Sequence, residues 1–112
     1  MLRRLYTEPG VDVVGYGDDD VYEVLGDIVI GRIRDAAVSI RAEIGGRRTF
    51  GLYWRNASWV FKVNNEWAQA VVDGELIPQG SLQSRVLRNG SIIEIRHVWE
   101  DRVIHRFAVG IG

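Results

Sequence analysis

Apolar residues in this chain recur at every second position and almost nowhere at every third or fourth. That spacing constrains the fold more than any other feature. A period of two sends alternate side chains to opposite faces of an extended strand, whereas a helix needs a period near 3.6. In "SIIEIRHVW", Ile93 and Ile95 share one face while Glu94 and Arg96 share the other. In "VIHRFAV", Val103, His105, Phe107 and Val109 alternate with Ile104, Arg106 and Ala108. Similar runs occupy 2–6, 11–14, 21–25, 28–31, 38–44, 49–54, 59–63, 70–72, 75–77, 92–99 and 103–109. Turn residues interrupt them at Gly15-Tyr16-Gly17-Asp18, Gly45-Gly46, Asn64-Asn65, Asp73-Gly74 and Asn89-Gly90. Asn-Gly and Asp-Gly tolerate positive φ and so close tight hairpins. Many short strands with turns at such intervals predict an all-β fold, an antiparallel β-sandwich of about ten or eleven strands.

The 112 residues are expected to form a single domain, 1–112, with no linker and no internal repeat. The absence of cysteine excludes disulfides, thiolate metal sites and cysteine nucleophiles, and it fits the cytoplasm, the expected location. The opening "MLRRLYTEPG" has no apolar core of the kind a signal peptide needs, and no apolar run is long enough to span a bilayer. The net charge of −1 gives no long-range attraction to nucleic acid or anionic lipid. Thirteen arginines stand against one lysine, Lys62.

Three segments carry a resemblance. "IVIGR" (28–32), "VVDGELI" (71–77) and "LRNGSIIEI" (87–95) together resemble the forkhead-associated (FHA) domain, over a core of about 22–109. That family reads loosely as Ile-Gly-Arg, Ser-Arg-x-His, Asn-Gly-x-x-Val-Asn-Gly, and Leu-x-x-Gly-Asp-x-Ile. The resemblance implies a β-sandwich whose loops at one end bind a phosphothreonine peptide. An arginine, a serine and an asparagine would surround the dianion with charge-assisted hydrogen bonds. Arg32 then matches the phosphate-facing arginine, and Ser39 or Val38 falls at the serine position. Arg41 stands where the histidine belongs, and Ala68 and Gln69 replace the first Asn-Gly pair. Asp73-Gly74 replaces the second, and Ser91 stands where the family has aspartate. Asn64 or Asn65 would have to supply the missing asparagine.

The resulting expectation is a non-catalytic protein-interaction or assembly module that does not depend on phosphothreonine. The alternative is a phosphothreonine-peptide reader with a modified pocket. The partner-facing candidates are Arg32, Ser39, Arg41, Asn64, Asn65 and Trp67, the last standing in "NNEWAQ" where burial is least assured. The partner is expected to be another protein, phosphorylated or not, with self-association left open.

Other patterns point to different chemistry. "RRTFGLYWRNASWVFK" interleaves Arg47, Arg48, Arg55 and Lys62 with five aromatic residues, the composition of a small barrel that binds single-stranded nucleic acid or a nucleotide. Strand alternation instead assigns Phe50, Leu52 and Trp54 to a core face, so nucleic acid is disfavoured. Asp18, Asp19 and Asp20 are consecutive, which suits a solvated turn better than a calcium loop. His97 and His105 fall near one another across a terminal hairpin, but no further ligand or nucleophile accompanies them. No enzyme, metal or cofactor is expected.

Overall fold

A computed structural model of the chain describes residues 1–7, 13–14, 21–24, 26–31, 38–40, 49–63, 69–77, 84–96 and 103–111. Its strands are β1 (Leu2–Thr7), β2 (Val13–Val14), β3 (Val21–Tyr22), β4 (Ile28–Gly31), β5 (Val38–Ile40) and β6 (Thr49–Arg55). They continue as β7 (Ser58–Val63), β8 (Ala70–Val72), β9 (Glu75–Ile77), β10 (Ser84–Val86), β11 (Ile92–Arg96) and β12 (Val103–Val109). There is no helix among the described residues. The strands form two six-stranded sheets, ordered β3-β1-β12-β11-β8-β9 and β10-β7-β6-β4-β5-β2. The all-β sandwich expected from the alternation is what the chain forms.

Two details differ from expectation. β10 adds a strand at Ser84–Val86, where "SRV" has too little apolar pattern to read as one. β4 and β5 pair in parallel, with Ile30 opposite Val38 and Gly31 opposite Ser39, while the other pairings are antiparallel.

The core lies between the sheets. Leu2, Ile77, Ile93, Ile95 and Phe107 from one sheet meet Ile30, Phe50, Leu52, Phe61 and Val63 from the other in one cluster. Phe50 stacks on Phe61 with ring centroids 5.6 Å apart. Removing such side chains from water contributes on the order of 1.5–3 kcal/mol each, which is why the period-two pattern decides the fold. Trp54 departs from its expected place. It continues the inward alternation of Phe50 and Leu52, yet it is 49% exposed. Its strand runs past the end of the core there, into a two-residue turn at Asn56-Ala57 whose residues both have positive φ (51° and 61°). It packs edge-on against Trp59, 5.4 Å between centroids.

The registers define two ends of the sandwich. The near end carries the Asn56-Ala57 turn, the Asp73-Gly74 turn, the Asn89-Gly90 turn and Met1. A backbone bond from Leu87 N–H to Trp59 O and a shared cleft tie these features together. The far end carries Gly31 opposite Thr49, Phe50 opposite Val63, Ala70 opposite Ile77, and Arg96 opposite Val103. β5 runs parallel to β4, so Ile40 also heads to the far end.

Candidate functional site

Of the candidate residues, Ser39 lies in a described strand, as backbone; Arg32, Arg41, Asn64, Asn65 and Trp67 lie outside the described residues. The strand ends to which they attach are described, and they gather. Gly31, Ile40 and Val63, which precede Arg32, Arg41 and Asn64 in the sequence, are all at the far end. The β4–β5 register places Ser39 directly opposite Gly31, on the neighbouring strand and one residue before Arg32. The glycine that precedes one candidate and the serine that is another therefore stand at one level of one sheet.

Two of the three resemblance-bearing segments meet at the near end. The hairpin β8–β9 turns at Asp73 (φ 50°) and Gly74 (φ 82°). Asp73 receives Ser91 Oγ–H at 2.9 Å and the Ile92 N–H at 2.8 Å, one on each carboxylate oxygen. Ser91 Oγ also accepts the Arg88 N–H at 2.9 Å, and the Asp73 N–H donates to Ile92 O at 2.9 Å. Ser91 is buried, so its hydroxyl needs both partners. In the sequence Asp73 and Ser91 stand as separate departures; their contact spans 18 positions and has no local signal.

Beyond the far end's inward strand positions, His105 is fully buried and stacks on Phe107, 5.9 Å between centroids. It pairs across β11 with Ile95 and across β1 with Thr7. Burial first, and the positive charge of Arg4 second, push its pKa down to about 4. The imidazole is thus neutral at physiological pH and belongs to the core; His97 lies outside the described residues. Among the described residues no group of three His, Cys, Asp or Glu side chains is placed to hold a metal ion. They form no helix long and apolar enough to cross a membrane.

Part of the basic-aromatic segment is taken up by the fold, while Trp54, Arg55 and Lys62 are exposed. Phe50, Leu52 and Phe61 fill the core. The Tyr53 ring lies against Gly51, where a Cβ would sit 2.2 Å from the ring, and Arg55 lies over the same ring at 5.2 Å. Arg55 donates to Asp27 at 2.8 Å, and Asp27 also accepts the Trp54 N–H at 2.8 Å. The Trp54 N–H and the Arg55 guanidinium hold the Asp27 carboxyl below its usual range. Tyr53 is half-buried by these contacts.

A cleft of about 480 Å³ opens at the near end, lined by Met1, Glu23, Val24, Trp59, Asn89 and Ile111. Trp59 forms its apolar wall and packs on the core behind it. Comparison with family models, with curated proteins and with solved structures finds no match to this chain.

Proposed function

We propose that the chain is a non-catalytic protein-interaction or assembly module on an FHA-like sandwich, which engages its partner at the far end without depending on phosphothreonine. The coupling of Asp73 to Ser91 carries this reading. These are the positions where the second hairpin and the following turn depart from the FHA pattern. Where that pattern has an amide and an acid, this chain has an acid and a hydroxyl, and the pair is complementary as acceptor and donor. Two departures thus amount to one coupled change that keeps the scaffold. The departures that concern phosphate are different in kind: the sequence has Arg41 in place of the histidine, and Ala68 and Gln69 in place of an Asn-Gly pair. Ala68, at the asparagine position, has no hydrogen-bonding group to replace the asparagine's contact.

The alternative, a phosphothreonine reader with a modified pocket, is favoured by one observation. Gly31, which precedes Arg32 in the sequence, faces Ser39 in the β4–β5 register. An arginine and a serine at one level are a minimal pair for a phosphate, since each charge-assisted hydrogen bond contributes on the order of 1.5–3 kcal/mol. The deciding experiment presents phosphothreonine peptides and their unphosphorylated twins to the wild type and to Arg32→Ala. The proposal expects no preference for the phosphorylated set. A preference that Arg32→Ala abolishes overturns it in favour of the alternative.

A further inference from the structure

Asn89-Gly90 is the one Asn-Gly dipeptide in the chain. In an open chain this pair is chemically labile, because glycine offers no side chain to hinder its own amide nitrogen. That nitrogen attacks the asparagine Cγ. The N–Cγ bond forms, the Cγ–Nδ2 bond breaks, and ammonia leaves with the amide proton. Water then opens the succinimide to aspartate or isoaspartate, so the net change is water in and ammonia out.

In the folded chain both reacting groups are held by the same short stretch of backbone. The Gly90 N–H donates to Val109 O at 2.7 Å, and Asn89 Oδ1 accepts the Ile111 N–H at 3.0 Å. The turn itself is closed by the Ser91 N–H on Arg88 O at 3.0 Å, with Gly90 at φ 89°, the third position of a type II turn. Residues 109–111 are tied down in turn: the Val109 N–H donates to Ser91 O, and Gly110 exchanges two bonds with Met1. Asn89 and Gly90 are both exposed, so water reaches the site, while the two hydrogen bonds hold the nucleophile and its target in place.

We propose that Asn89 is a latent deamidation site, closed by the backbone of Val109 and Ile111 and reactive only when that stretch lifts from the turn. Reaction there has two consequences for the near end. A new carboxylate enters the cleft that Glu23 also lines. Isoaspartate adds a methylene to the backbone of the turn and displaces Ser91, the donor that holds Asp73. The reaction is confined to a turn at the near end, so the inference stands apart from the proposed binding mode.

The test follows the tryptic peptide that spans 89–96, by mass and by its isoaspartate content, at mildly alkaline pH. Deamidation in the folded protein is expected to be slower than in concentrated urea by a factor matching the hydrogen-exchange protection of the Gly90 amide, because both need the same opening. Ile111→Pro removes the N–H that holds Asn89 and is expected to speed the reaction severalfold in the folded protein, with no change in urea. Equal rates in the folded protein and in urea overturn the proposal. So does a retardation that departs from the Gly90 protection by about tenfold or more. The protection comparison uses the wild type and stands even where the proline variant does not fold.

Discussion

Replacing Ser91 by aspartate tests whether Asp73 and Ser91 are one coupled change, as the proposed FHA-like reading requires. Ser91 Oγ lies 2.9 Å from Asp73 Oδ2, so Ser91→Asp sets two carboxylates within about 4 Å. At that distance like charges repel by about 1 kcal/mol in bulk water and about 4 kcal/mol near a protein surface. Asp73 is exposed and Ser91 is buried, which places the expected loss at about 2–3 kcal/mol. Asp73→Asn alone keeps an oxygen for the Ile92 N–H but weakens the acceptor for Ser91, at a cost of about 1 kcal/mol. Combined, the two changes restore a donor facing an acceptor and remove the repulsion. The double variant is expected to lie within about 1 kcal/mol of the wild type, a coupling of about 2 kcal/mol or more. Urea unfolding of the four proteins, followed by tryptophan fluorescence at neutral pH, measures it. Single costs that add to within about 0.5 kcal/mol would refute the reasoning, since independent sites behave in that way.

Further expectations follow from other parts of the fold. His105 has a folded pKa of about 4 against an ordinary 6.5, so above pH 6.5 both states are neutral and the residue adds no pH dependence. Below that value the unfolded chain takes the proton first, and stability falls by about 3 kcal/mol in all as pH drops towards 4. Denaturant titrations should show that slope shrink in His105→Gln; an unchanged difference between the two proteins across the window contradicts the burial argument. Ala57 sits at φ 61° in a two-residue turn, so Ala57→Gly should raise the urea midpoint, by about 0.5–1 kcal/mol of stability; a lower midpoint would contradict it. Phe107→Ala, at the centre of the core, should cost about 3–5 kcal/mol in the same assay, and a cost below about 1 kcal/mol would remove Phe107 from the core.

Much of the fold is legible in the sequence because burial imposes the period of two. Ile93, Ile95, Phe107 and Val109 are buried as their alternation requires, and Asp73-Gly74 and Asn89-Gly90 turn as their φ tolerance allows. Trp54 breaks the rule because alternation says which face a side chain takes, not whether the opposite sheet extends far enough to cover it. β10 is hidden for a related reason. An edge strand of three residues with Val86 61% exposed has little apolar pattern to display. The parallel β4–β5 pair joins strands whose sequences carry no mark of their relative direction. At the far end, Arg32 and Ser39 read as candidates through resemblance alone, and only the Gly31–Ser39 register brings their attachment points together. The Asp73–Ser91 contact has no sequence signal because each residue is an ordinary turn former when taken singly.

The central claim, partner binding at the far end without reliance on phosphate, is tested most directly by the backbone amides of Gly31 and Ser39. Their NMR shifts can be followed while a phosphothreonine peptide, and then its unphosphorylated twin, is titrated into the protein. The account predicts no saturable displacement that needs the phosphate. A saturable displacement at both amides with the phosphorylated peptide alone, lost in Arg32→Ala, would contradict it.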